Sequence, residues 1–144
     1  MKWQMLFAAL LLCASAQAVA ASLQIQHAWI RWLPGDLPAA GYAIVANTSN
    51  KPARLLGADS PDYGGVMLHQ SFKQDGTERM QMVVGIDIPA HGRITLAPGG
   101  YHLMLMHAKH PIAPGDRVHL NLHFSGDQTV GVDVAVRPAN ASSD

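Results

Sequence analysis

The sequence predicts an all-β protein, an antiparallel β-sandwich or Greek-key barrel, and three observations carry that prediction. Apolar residues alternate with a period of two rather than the helical value of about 3.6. Gly- and Pro-containing turn signals punctuate the alternation at short, regular intervals, as in all-β domains. No stretch of the chain offers a convincing amphipathic helix, and no segment repeats another.

The candidate strands follow in order. SLQIQHAWIRW (22–32) closes at LPGD, GYAIVANTS (41–49) at the turn residues around NKP, and ARLLGADS (53–60) at PDYGG. GGVMLHQSF (64–72) runs into KQDG, a hairpin signal because Asp-Gly tolerates the positive φ angles of a tight turn. ERMQMVVGI (78–86), GRITLAP (92–98) and GYHLMLMHA (100–108) come next, separated by PAHG and PGG. DRVHLNLHF (116–124) and QTVGVDVAV (128–136) complete the set, after HPIAPGD and SGDQ. The terminal RPANASSD is polar, so the expected organisation is a β-domain over 22–138 and a polar tail over 139–144.

Residues 1–21 read as a secretory signal peptide. Lys2 supplies a positive start, Met5 to Leu12 an apolar run too short to span a bilayer, and Ala16 to Ala20 the small-residue spacing of a cleavage site. Leu12 stands before Cys13 where a lipidation signal needs a small residue, so a lipid anchor is not expected. The chain holds one cysteine, Cys13, within that leader, so the exported domain would carry neither a disulfide nor a thiolate. Ten Lys and Arg balance ten Asp and Glu, and loss of Lys2 leaves a net charge near −1. That balance argues against nucleic acid or an anionic membrane surface as partner.

The chemistry lies in the alternation. In GYHLMLMHA, Tyr101, Leu103 and Leu105 take one face, and His102, Met104 and Met106 the other. Met67 and His69 share a face of their strand, and Met80 and Met82 share a face of theirs. Methionine alone is usually core filling, and a lone histidine usually a solvated or hydrogen-bonded residue. Both together on one face suit a soft metal: thioether and imidazole favour Cu(I), whereas zinc prefers Cys, His or carboxylate and the hard cations prefer oxygen. Thioether sulfur binds no competing proton, so only the histidines are titrated against the metal.

His69, ten residues, Met80, twenty-one residues, His102, one residue and Met104 reproduce without a gap the copper motif of the periplasmic copper chaperones called PCuAC, which this sequence resembles. AWIRWLPGDLPAAGYAIVANTS, IPAHGRITLAPGG, PGGYHLMLM and PGDRVHLNLHF extend the resemblance over most of the exported chain. It implies a cupredoxin-like β-sandwich, His69, Met80, His102 and Met104 as Cu(I) ligands, and no enzymatic activity. It also implies a periplasmic location, with cytochrome c oxidase subunit II and Sco-type copper assembly proteins as acceptors for its Cu(A) centre. Gln70 stands where relatives often carry a further Met, and the tail lacks the His- and Met-rich extension of some relatives. Met82 and Met106 lie two positions beyond ligands, and we read them as cover around the ion rather than ligands.

Four functional readings compete. A copper chaperone and a copper buffer for resistance or storage use the same ligands and differ only in having an acceptor. A blue-copper electron carrier needs a Cys thiolate, absent from the exported chain. A copper enzyme needs ligands that serve both oxidation states, and a histidine brace needs His at the mature N-terminus, from which His27 is about six residues removed. His107 and His110 flank a candidate weak metal site, and His119 and His123 a solvated polar face. Trp29 and Trp32, three apart, are expected on opposite faces, one in the core and one free to contact a partner. No GxSxG, HExxH, P-loop or dinucleotide fingerprint is present.

Overall fold

The computed structural model describes residues 22–142, so the expected signal peptide over 1–21 and the last two residues of the expected tail lie outside the described residues. Ten strands form: β1 (Leu23–Arg31), β2 (Ala39–Asn47), β3 (Ala53–Asp59), β4 (Tyr63–Gln74), β5 (Thr77–Met82), β6 (Ile86–Ile88), β7 (Arg93–Leu96), β8 (Tyr101–Ala108), β9 (Arg117–Phe124) and β10 (Gln128–Arg137). Hydrogen bonding orders them β5-β4-β8-β2-β1-β10-β9-β3-β6, with β7 on β2 as a branch. Every pairing is antiparallel except β1 with β10, which is parallel, so the all-β expectation holds with one mixed ladder.

Alternation drives the folding over of this sheet. Leu68 of β4, Leu103 and Leu105 of β8, Val45 of β2, Ile30 of β1, Leu120, Leu122 and Phe124 of β9 and Val134 of β10 all enter one buried cluster. Apolar burial of this kind stabilises by about 25 cal/mol per Å², so the leucine face of β8 anchors the strand whatever its other face does. Gly41 permits the close approach of β2 to β8: a Cβ there would sit 3.3 Å from both Leu103 Cβ and Leu105 Cδ1.

Asn47 anchors the far end of β2. It is 2 % exposed, and its Nδ2 donates to the carbonyls of Lys51 and Pro89 at 2.8 and 3.2 Å. Its Oδ1 accepts from the Ser49 backbone N–H at 3.1 Å, so one amide satisfies backbone groups of two loops.

Two details depart from simple alternation. The ladder between β1 and β2 shifts register between Gln26 and Trp29, and His27 adopts a φ of 50° there. The shift ends before Trp29, and the regular register from Trp29 to Arg31 keeps Trp29 and Trp32 on opposite faces as expected, Trp29 against Tyr42 and Trp32 against the core cluster. Trp29 is buried at 3 % exposure, and Trp32 is half-buried against the core cluster, so neither stands free as contact area. The segment read as one strand over 78–86 is two, because the chain leaves β4 after Met82 and re-pairs with β3 at Ile86.

Candidate metal centre

The long hairpin of β4 and β5 turns at Asp75 and Gly76, with φ of 51° and 76°. These are the paired positive angles of a two-residue hairpin turn, and Asp-Gly supplies them at low cost. The turn fixes the register, and the register fixes what the outer face presents. His69 stands opposite Met82 on one side and opposite His102 on the other; Met67 stands opposite Met104, and Ser71 opposite Met80. Directly opposed residues share a face, so His69, Met80, Met82, His102, Met104 and Met67 converge on one side of a three-stranded sheet. Met106, facing Gly65, continues the stripe toward the far end of β8.

The imidazoles of His69 and His102 meet edge to face, with ring centroids 5.8 Å apart and planes at 69°. His102 is buried, and its Nδ1 lies 3.1 Å from the Gly100 carbonyl oxygen. A carbonyl can only accept, so Nδ1 carries the proton and Nε2 presents its lone pair. Nδ1 of His69 is buried with no hydrogen-bond partner. Burial, and secondarily the facing His102 ring, hold the pKa of His69 below the usual histidine value and favour the neutral, metal-binding form. A neutral imidazole with an orphaned buried nitrogen beside a second imidazole and several thioethers fits a soft metal ion. Among the described residues no three His, Cys, Asp or Glu side chains group closely enough to hold one, so a metal on this face would need thioethers among its donors.

The core explanation for the methionines fails on the edge. Every residue of β5 is exposed, on both faces of the strand. Met80 is 50 % and Met82 64 % exposed, so neither fills a core gap. Met67, Met104 and Met106 are half-buried.

A wall that the sequence reading missed closes the other side of the site. The register of β2 brings Tyr42 beside His102, with ring centroids 6.5 Å apart, and Trp29 packs on Tyr42 at 4.8 Å. The Arg31 guanidinium lies 5.5 Å from the Trp29 ring and 5.3 Å from the Tyr42 ring, and that of Arg137 lies 5.2 Å from Trp29. Only cross-strand pairing could reveal this row, because its members come from three strands, β1, β2 and β10. It leaves the exposed β5 edge as the open side of the centre.

The remaining histidines stand on other strands or loops, or at the far end of β8, and three of them are engaged by carboxylates. His110 Nε2 bonds Asp62 Oδ1 at 2.8 Å, and among the described residues no group of three or more His, Cys, Asp or Glu side chains forms around it and His107. His119 Nδ1 bonds Asp133 Oδ1 at 2.8 Å, and His123 bonds Thr129 and Asp59, so the solvated polar face of β9 is as expected. His27 and His91 are exposed and, among the described residues, belong to no group of three or more His, Cys, Asp or Glu side chains.

The geometry is that of a β-domain with a His- and Met-lined outer face, and solved structures share its fold. The copper-bound PCuAC domain from PmoF2 superposes with a TM-score of 0.68 at 29 % identity, covering 84 % of this chain and 97 % of that one. The solution structure of CuI-DR1885 from Deinococcus radiodurans gives a TM-score of 0.65 at 31 % identity, covering 91 % of this chain and 87 % of that one. The fold is therefore the cupredoxin-like β fold of PCuAC domains. The family model described as "Putative lipoprotein LpqE-like" matches residues 23–136, and the chain belongs to that LpqE-like family. A curated relative, "Putative lipoprotein Lxx21020" of Leifsonia xyli subsp. xyli, is 34 % identical over 123 residues, 85 % of this chain and 74 % of that protein. "Uncharacterized protein RP573" of Rickettsia prowazekii is 28 % identical over 103 residues, 69 % of this chain but only 55 % of that protein's length.

Proposed function

We propose that this chain is a periplasmic metallochaperone that binds Cu(I) as cargo through His69, Met80, His102 and Met104. It passes the ion to the Cu(A) site of cytochrome c oxidase subunit II or to a Sco-type assembly protein. The observation that carries the reading is the convergence of both histidines and both methionines on one outer face, open at the β5 edge. The similarity to a copper-bound PCuAC domain and to CuI-DR1885 supports it. The leader and the family's description as lipoproteins support export.

In this reading the two imidazoles hold the ion from the walled side, with His102 pre-oriented by the Gly100 carbonyl and His69 kept neutral by burial. The exposed thioether of Met80 is the ligand an acceptor displaces first. Thioethers release Cu(I) without taking up a proton, so exchange proceeds one ligand at a time with the metal staying reduced. Nothing in the donor set calls for substrate chemistry, and we assign no enzymatic activity.

Transfer tests the reading. Cu(I)-loaded protein is mixed with an apo Cu(A) domain, the two are separated, and copper is measured in each. Copper in the acceptor, at a rate above that of free Cu(I)–chelator complex, supports a chaperone. Retention of the copper despite a higher-affinity acceptor contradicts delivery and leaves a copper buffer.

A further inference from the structure

We propose that Met82 is a copper-ligating residue in its own right, exchanging with Met80 for one coordination position on the ion. The inference rests on the Cu(I) reading above and adds a ligand to it. The motif spacing points to Met80, yet the ladder sets Met82, not Met80, directly opposite His69; Met80 faces Ser71. Directly opposed Cβ atoms lie about 4.5–5.5 Å apart and diagonal ones about 7–8 Å, so Met82 has the shorter reach to a metal on His69 and Met80 the longer. Both are within the span of a flexible thioether side chain.

Exposure argues the same way. Met82 is 64 % exposed on a strand with no buried face, so packing does not account for a large apolar side chain there. Edge strands ordinarily carry charge to deter pairing, and β5 places Glu78 on the same face as its two methionines but keeps thioethers nearest the histidines. With His69, His102 and Met104 held on β4 and β8 inside the sheet, the fourth position is served by two exposed donors on its rim. In the exchange one sulfur lone pair leaves the metal as the other arrives; no electron or proton moves. An ion with a substitutable rim ligand can be opened to an acceptor while three ligands still hold it.

The test uses the full chain with Cys13→Ser throughout, so that no thiol competes, and compares the parent with Met80→Leu, Met82→Leu, the double variant and Met104→Leu. Leu keeps the volume and removes the sulfur. Two readouts are taken: Cu(I) competition against a colorimetric chelator, and carbon-13 methyl spectra of labelled methionines during Cu(I) titration. The expected result is that the Met82 methyl resonance moves with that of Met104. Each rim variant weakens binding by roughly ten-fold or less, and the double variant by more than the product of the two, as for groups that substitute for one another. An unmoved Met82 methyl together with parent-like affinity of Met82→Leu overturns the inference and leaves Met80 alone on the rim. A parent that fails to bind Cu(I), or a Met104→Leu variant that binds as well as the parent, overturns the Cu(I) reading itself.

Discussion

His69 and His102 face each other across adjacent strands with ring centroids 5.8 Å apart, and their nitrogens are prepared differently. His102 Nδ1 is bound to the Gly100 carbonyl, while His69 Nδ1 is buried without a partner. A pair of core histidines would have both polar ends satisfied, because an unpaired buried donor or acceptor costs about 1–3 kcal/mol. The asymmetry has a purpose if a metal completes it.

This relationship predicts a tautomer. In long-range proton–nitrogen spectra of the metal-free protein, His102 should appear as the Nδ1–H form, with Cu(I) shifting its Nε2 resonance. Finding the proton on Nε2 would show that the Gly100 contact does not orient the ring.

Met104→Leu should leave thermal stability within about 1 kcal/mol, since a volume-conserving swap at a half-buried site repacks easily. It should lower Cu(I) affinity at least as much as the roughly 10- to 100-fold loss that follows removal of a ligand's hydrogen-bond partner. Chelator competition reads the second effect and thermal unfolding the first.

Asn47→Ala should destabilise the fold by about 1–3 kcal/mol, because the Lys51, Ile88 and Pro89 carbonyls lose their buried donor. Urea unfolding measures this. Copper affinity should not change, since Asn47 lies at the end of β2 away from Tyr42.

The outer face of β9 makes a pH-dependent contribution with a defined sign. The hydrogen bond to Asp133 raises the pKa of His119 above 6.5, and bonds from Asn121 and His123 lower that of Asp59 below 3.8. A raised histidine contributes fully below its unfolded pKa and loses the contribution as pH rises through the folded value. A depressed carboxylate contributes above its unfolded pKa and loses it as pH falls through the folded value. The network is therefore strongest between those limits. The stability lost in His119→Ala should be larger at about pH 5.5 than at about pH 8.5, with Cu(I) affinity unaffected at either. An equal loss at both would remove the Asp133 bond from the account.

Much of this was written in the alternation of side chains. Leu103 and Leu105 against His102 and Met104 is a statement about two faces of one strand, and period two carries it without tertiary information. What could not be read was which residues meet across strands. Tyr42 and Trp29 wall the site through pairings among β1, β2 and β8, and Met82 faces His69 because the Asp75–Gly76 turn sets a register. The irregularity at His27 was hidden for the same reason: a break in register is a relation between β1 and β2 and leaves no mark in the alternation of β1 alone. The division of 78–86 was hidden because Val83 and Val84 continue an apolar pattern while the backbone changes partner.

The most direct test of the central claim is X-ray absorption at the copper edge of the Cu(I)-loaded protein, read beside chelator competition. The account predicts one tightly held Cu(I) with mixed nitrogen and sulfur scattering, the sulfur contribution falling in Met104→Leu. Nitrogen-only scattering, or no tightly held copper, would contradict it and return the methionines of this face to packing.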